Sequence, residues 1–269
     1  METRTIHSKV LIYTLLTVLA VLVVVPFFWM LLASVKTSNE VFSIPMKLFP
    51  KEFQWVNYQT IWDKIPLLTF FKNTFKIAVL TTLLQVLTSC FAAYGFSKVE
   101  FRGRDFLFLV SVTTFAVPWQ AHMVTQFALI SRMGLTDSHL GLILMQAFSG
   151  FGVFLIRQFM IGVPNELLEA ARIDGAGFWR TTLSITFPMV KGTTNVLIIL
   201  GIVGSLKTFD IVKLLTGGGP GRSSTVLNTY LYEKAFKDFN AGGAASIGVA
   251  ILMIAVIMSF LQIKLGKED

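Results

Sequence analysis

The chain has 269 residues, of which 54% are hydrophobic and only 14% are charged. Soluble domains carry roughly 25% charged residues, so this composition excludes an ordinary soluble fold. The net charge is +8, but the basic residues are scattered between apolar segments and form no patch with interleaved aromatics, which favours a membrane surface over nucleic acid. Cys90 is the single cysteine, which excludes a disulfide framework or a Cys metal site within one chain.

Apolar segments long enough to cross a membrane recur along the chain. A helix that rises about 1.5 Å per residue needs about 20 residues to cross a hydrocarbon core of about 30 Å. The hydropathy pattern therefore predicts an all-α membrane protein, a single domain over residues 1–269, with six transmembrane helices. The first of these predicted helices is longer than a signal-peptide core of about 7 to 15 residues, and we expect it to remain uncleaved. The predicted spans are residues 10–33, 73–96, 106–130, 140–161, 193–212 and 244–263.

The orientation follows from the short connections between spans. The connection after the second span carries Lys98, Arg102 and Arg104, whereas the one after the third carries only Arg132. Basic residues in short loops favour the cytoplasmic side. We therefore expect the connection after the second span, both termini and the charged segment 165–180 to lie in the cytoplasm.

The first outside connection mixes aromatic side chains with lysines, a composition typical of the membrane interface. One interpretation is a short surface or re-entrant helix that caps the bundle, and the other is a docking surface for an external partner. Both can hold together. The aromatic residues are Phe42, Phe49, Phe53, Trp55, Tyr58 and Trp62.

The third span has a polar outer half. Pro118 frees a backbone carbonyl, and polar side chains facing lipid are costly, so this half should face the bundle interior or a wet cavity. Its chemically distinctive residues are Trp119, Gln120, His122 and Gln126. His122 is not expected to bind a metal, because the other histidines are remote in sequence and no acidic pair accompanies it.

The fifth span is short and rich in glycine. Lys207 and Asp210 are expected at the outer interface, where they can pair at i, i+3, while Gly201 and Gly204 allow a neighbouring helix to come close. Helix packing and a cavity-lining role, with Asn195 near the start of the span, both remain open. The glycine-rich stretch LLTGGGPGRSS that follows lacks the spacing of a phosphate loop and predicts a tight outward turn.

Enzyme motifs are absent from the sequence. There is no HExxH, and Ser149 lies in AFSG, which lacks the first glycine of a nucleophile motif. No pair of carboxylates lies within a span. We therefore expect no catalytic residues and no metal site.

The segment NELLEAARIDGAGFWR predicts two short helices across a turn, an elbow over about residues 162–192. Pro164 suits a first helical turn, Glu166 and Glu169 suit the positive end of a helix dipole, and Gly175 and Gly177 end the helix. A protruding surface on which another protein docks and a solvated, capped loop are both consistent with this pattern.

The same segment resembles a known family signature. The spacing E-A-A, three residues, G, nine residues, I-x-L-P is typical of permease subunits of bacterial binding-protein-dependent ABC importers, and EAARIDGA resembles their carbohydrate branch. Phe187 replaces the leucine. Stretches such as AAYGFSKVEFRGRD are similar to the second permease of maltose-type importers, whereas TFDIVKLLTGGGPGRSS is similar to the first. The matching residues are Glu169, Ala170, Ala171, Gly175, Ile185 and Pro188.

The resemblance implies the type I importer fold and a mechanism. Residues 164–180 would be a coupling helix seated on a separate ATPase, with Glu169 and Asp174 as polar anchors, Ala170 and Ala171 as the contact patch, and Gly175 as the turn. Two ATPases would bind ATP and Mg, so this chain would hold no cofactor. A second permease would complete the pathway in the bacterial cytoplasmic membrane, and a sugar-binding protein would dock outside on the first connection and the GGGP loop.

A sugar path needs amides and aromatic rings together, because a sugar presents both hydroxyls and apolar ring faces. A permease for another small solute remains an alternative, and an ion-coupled secondary transporter is a further one, although that class uses carboxylates within spans. The candidate path residues are Trp119, Gln120, Gln126, Gln146, Ser149, Phe151 and Asn195.

Overall fold

The computed structural model describes residues 2–63 and 66–265, and within these ranges the chain is helical and contains no strand. A 3-10 helix covers Trp119–Ala121, and π-helical turns cover Thr182–Thr186 and Glu233–Lys237. The α-helices are α1 (Glu2–Ser34), α2 (Ser38–Val41), α3 (Val56–Asp63), α4 (Leu67–Lys98), α5 (Arg104–Ala116), α6 (Met123–Arg132), α7 (His139–Leu144), α8 (Gly150–Ile161), α9 (Asn165–Ile173), α10 (Phe178–Thr181), α11 (Phe187–Met189), α12 (Lys191–Leu206), α13 (Asp210–Leu215), α14 (Leu227–Tyr232) and α15 (Ala241–Leu265).

Three continuous helices in the described ranges are long and apolar enough to cross a membrane: α1, α4 and α15. They correspond to the first, second and sixth predicted spans. Two further pairs meet the same criteria but are sharply bent, α8 with α9 by 75° and α10–α11 with α12 by 76°. The described chain therefore has three candidate spans, or up to five if each bent pair counts as one.

The third, fourth and fifth predicted spans are each interrupted. Residues 117–122 separate α5 from α6, residues 145–149 separate α7 from α8, and residues 207–209 separate α12 from α13. Pro118 accounts for the first interruption, because proline has no N–H and restricts the residue before it. Hydropathy is averaged over a window and does not register such gaps, so each span was predicted as continuous.

The structure divides into two compact units, and the first comprises Met1–Leu67 with Tyr230–Ile254. Short helices α2 and α3 are present in the first predicted connection. Lys36 is fully buried there; its Nζ lies 4.4 Å from the Trp29 ring centroid and donates to the Lys47 carbonyl. Most of the aromatic side chains of this connection are exposed by 60% or more: Phe42, Phe49, Phe53, Trp55 and Trp62.

The second unit comprises Leu68–Thr229 with Ala255–Asp269. Its centre is α4, which packs on α8 and α12 through one buried cluster that includes Cys90, Ile156 and Leu197. Gly201 allows a close approach, since a Cβ there would lie 2.8 Å from the Thr82 methyl carbon. Gly204 does not, because nothing lies within 4 Å of its Cβ position. The predicted packing role is therefore confirmed for Gly201 and wrong for Gly204.

Candidate functional site

The second unit contains a cavity of about 800 Å³, within the range of about 300 to 1,000 Å³ that is usual for ligand pockets. Most of the predicted path residues line it. Asn195 does not; it is half-buried in α12, outside the lining. The predicted residues that the structure brings together are Trp119, Gln120, Gln126, Gln146, Ser149 and Phe151.

The interruptions of the third, fourth and fifth predicted spans all open onto this cavity. Pro118, Gln146 and Thr208 each lie in a different gap, and each lines the cavity wall. Non-helical backbone is tolerated at membrane depth only where it is buried in protein or lines a wet cavity. The gaps therefore bring polar backbone groups to one place, beside the amide and aromatic side chains.

The gap between α7 and α8 is held by polar side chains of α4. Gln85 Nε2 donates to the Gln146 carbonyl at 2.8 Å, and Thr88 Oγ1 donates to the Ala147 carbonyl at 2.9 Å. Gln85 and Thr88 are three residues apart and share a face of α4. Gln85 supplies a hydrogen bond that a continuous helix would have formed internally. The single proton of the Thr88 hydroxyl is shared between the gap and the Leu84 carbonyl of its own helix, which lies 2.8 Å away.

The side chains on the cavity wall are partly committed to the protein itself. Ser149 caps α8 by accepting from the Gly152 N–H at 3.0 Å, and Gln146 Nε2 donates to the Leu142 carbonyl at 3.1 Å. Gln120, by contrast, is exposed to the cavity. Phe151 stacks obliquely with Phe115, with ring centroids 5.9 Å apart.

Charged residues at the end of the fifth predicted span, for which a cavity-lining role was left open, also line the cavity. Lys207 and Asp210 both line the cavity wall and are exposed there, and within the described ranges no ion pair joins them, so the expected i, i+3 pair is not formed. Their expected position at the outer interface stays a prediction. His122 lines the same wall. Other lining residues that the sequence interpretation missed are Gln85, Thr114 and Thr208; an amide within an apolar span was the signal available for Gln85.

The predicted elbow has the predicted form, with α9 followed by a turn and α10. The α9 C-terminus is a Schellman motif, in which the Ala176 N–H donates to the Ala171 carbonyl at 2.9 Å and the Gly175 N–H donates to the Arg172 carbonyl at 3.0 Å. Gly175 has a φ of +82°, a backbone conformation that glycine adopts without steric cost. The helical path after α10 passes Pro188 and ends at Met189.

The elbow presents polar and apolar side chains outward. Glu169, Ala170, Asp174, Gly175 and Pro188 are exposed and Ala171 is half-buried, whereas Leu168 is the buried anchor of α9. The sequence interpretation did not single out the exposed apolar residues. Ile173 is 86% exposed and Trp179 is 62% exposed. An apolar surface of this kind, rimmed by charges, is typical of a protein interface.

The glycine-rich segment after α13 forms a turn, as predicted, and is fixed to α4. Asn73 Nδ2 donates to the Ser223 carbonyl at 2.7 Å, and the His139 Nε2 lies 3.2 Å from the same oxygen. The other ring nitrogen of His139 lies 3.2 Å from Lys76 Nζ, an arrangement that suits a neutral imidazole. Burial, and then the charge of Lys76, lower the pKa of His139 below its usual range.

Within the described residues, apolar helices of membrane length and a cavity with mixed polar and aromatic lining define a multi-pass membrane protein. Comparison with known families makes this specific. Residues 85–265 match the family described as the binding-protein-dependent transport system inner membrane component. The chain belongs to this family.

Individual relatives agree with the family. The chain is 28% identical to a probable starch degradation products permease, AmyC, of Thermoanaerobacterium thermosulfurigenes, over 97% of this chain and 96% of that protein. It is 30% identical to the arabinooligosaccharides permease AraQ of Bacillus subtilis, over 71% and 69%. The crystal structure of a bacterial ABC transporter for alginate import has the same fold, with a TM-score of 0.80 over 100% of this chain and 98% of that one, at 18% identity.

Proposed function

We propose that the chain is a sugar-translocating permease subunit of an ABC importer in the bacterial cytoplasmic membrane, with six membrane crossings and both termini in the cytoplasm. It forms half of the pathway, and a second permease forms the other half. The cavity where three interrupted helices meet carries this proposal, because amides, backbone carbonyls and aromatic rings there suit the hydroxyls and ring faces of a sugar. Relatives named for starch products and arabinooligosaccharides support the substrate class.

The elbow couples this pathway to a separate ATPase. Glu169 and Asp174 anchor it, Ala170 and Ala171 form the contact patch, Gly175 forms the turn, and Pro188 lies where the second arm ends. The exposure of Ile173 and Trp179 supports a protein surface seated against this region, since apolar side chains outside the membrane gain about 25 cal/mol per Å² on burial. Two copies of the ATPase hold ATP and Mg, and their closure moves the permeases between inward-open and outward-open states.

A sugar-binding protein delivers the substrate from outside, on the first connection and the glycine-rich turn. The aromatic residues of that connection that are exposed by more than half support a docking surface. The bonds from Asn73 and His139 to Ser223 support a turn held in a fixed conformation, since a preformed surface loses less entropy on binding.

Genetic complementation tests this function. Cells that lack the chain should fail to take up one sugar of a labelled panel, and the intact chain should restore uptake. The variant Trp119→Ala, which removes an aromatic surface of the cavity, should restore less. Purification of the tagged chain should recover an ATPase and a second permease. Full uptake in cells without the chain, or uptake of an amino acid instead of a sugar, would contradict the proposed function.

A further inference from the structure

The elbow joins α8 through a bend of 75°, and this bend is held by a side chain from another helix. Lys98, the last residue of α4, donates from Nζ to the Val163 carbonyl and, at 2.9 Å, to Asn165 Oδ1. Val163 precedes α9 and Asn165 is its first residue. One ammonium group therefore spans the junction between the bend and α9.

The second arm of the elbow also contacts α4. The Tyr94 ring meets the Phe178 ring edge-to-face, with centroids 5.5 Å apart, and the Phe91 ring meets the Trp179 ring in the same way at 6.0 Å. Edge-to-face pairs stabilise aromatic contacts beyond the area that they bury. Both arms of the elbow are thus attached to the last two turns of one helix.

The same helix continues without a break to the cavity. Gln85 and Lys98 lie 13 residues apart in α4 (98 − 85), which is about 20 Å at about 1.5 Å per residue. At the cavity, Gln85 and Thr88 hold the carbonyls of the gap between α7 and α8. The one helix therefore contacts the elbow at one end and the interrupted cavity wall further along.

We propose that Lys98 is a positioning residue that fixes the elbow to α4, so that movement of the elbow reaches the cavity through α4 and the side chains of Gln85 and Thr88. A bend that is free to flex would absorb displacement of the elbow. With Lys98 bonded at the start of α9, α4 moves together with the elbow. The proposal rests on the proposed coupling function.

The test is the number of sugar molecules imported per ATP hydrolysed, measured with the full importer in proteoliposomes. Lys98→Met keeps the length of the side chain but removes its donors, and we expect this ratio to fall at least about threefold while assembly is unchanged. Lys98→Arg keeps donors and should retain most of the ratio. Lys9→Met, at an exposed lysine of α1, is the matched control and should have no effect.

A double-mutant cycle separates transmission from local damage. Residues more than about 7 to 10 Å apart normally have additive effects on free energy. The fold-losses in the sugar-to-ATP ratio caused by Lys98→Met and by Gln85→Leu should therefore multiply if the two residues act independently. If both lie on one route, the double variant should be no worse than the worse single variant. Multiplied losses, an unchanged ratio in Lys98→Met, or a Lys98→Met chain that no longer assembles would overturn the proposal. Failure of the unmodified importer to move sugar with ATP would instead contradict the proposed function.

Discussion

The side chain of Gln85 in α4 donates to the backbone carbonyl of Gln146, with Nε2 and O 2.8 Å apart, in the gap between α7 and α8. A break in a helix within a membrane is stable only if other groups satisfy its freed carbonyls. Gln85 satisfies one of these carbonyls and also lines the cavity. Its amide therefore stabilises the interrupted helix and helps to set the shape of the cavity wall.

Gln85→Leu should reduce both stability and transport. Loss of the amide leaves the half-buried Gln146 carbonyl without this donor, at a cost below the roughly 1 to 3 kcal/mol of a fully buried acceptor. We expect a lower melting temperature in detergent and a lower import rate. Gln120→Leu is the matched control, because Gln120 is exposed to the cavity and should affect import without changing the melting temperature. Equal melting temperatures for the two variants would contradict this role of Gln85.

Gly175→Asp should leave membrane insertion intact and abolish transport. Aspartate and asparagine both tolerate positive φ better than most residues, so the turn at φ +82° survives in either variant. Asp adds a charge to the exposed turn beside the contact patch, and Gly175→Asn adds nearly the same shape without the charge. Import assays on membranes with matched expression should show greater loss in Gly175→Asp. Equal, full activity of both variants would count against the coupling role.

Substitutions at Ile173 and Leu168 should distinguish an effect on ATPase docking from an effect on folding. Ile173 is 86% exposed and Leu168 is 4% exposed, although both belong to α9. We expect Ile173→Ser to weaken recovery of the ATPase in co-purification with no change in melting temperature. Leu168→Ala should instead destabilise the chain by about 2 to 5 kcal/mol, as is usual for truncation of a buried leucine. Normal ATPase recovery with Ile173→Ser would place the interface elsewhere.

The stability of the chain should fall in mild acid because of His139. The pKa of this imidazole is lowered in the folded chain by burial and by Lys76, so the unfolded state binds the proton more readily. The contribution is fully present above the unfolded pKa of about 6.5 and is lost as pH falls from there through the folded pKa. His139→Gln does not titrate, and its melting temperature should change less between pH 7.5 and 5.5. An identical pH dependence of the two chains would rule out this contribution.

The sequence predicted the chemistry of the cavity better than its construction. Amide and aromatic side chains within apolar spans indicate a polar interior, and six of the seven candidate path residues line the cavity. The gap between α7 and α8 contains no proline, and its carbonyls are held by Gln85 and Thr88 some 60 residues earlier in the chain. Such long-range hydrogen bonds leave no periodic signal in the sequence.

The elbow, too, was predictable from the sequence only in part. Glycines after a short amphipathic segment predict a helix end, and the structure contains the corresponding turn at Gly175. The sequence showed Lys98 only as one of the basic residues of a short loop. Its bonds to Val163 and Asn165 could not be predicted, because they depend on the packing of α4 against α8. The cavity-lining position of Lys207 and Asp210 likewise depends on a tertiary feature, the interruption between α12 and α13.

ATP-dependent sugar uptake in proteoliposomes tests whether this chain forms half of the pathway and a separate ATPase drives transport through it. The complete importer, with its binding protein and ATP, should accumulate sugar, whereas vesicles that lack this chain, the ATPase or ATP should not. Sugar uptake by this chain alone without ATP would contradict the role of the ATPase, and uptake by the complex without this chain would contradict its place in the pathway.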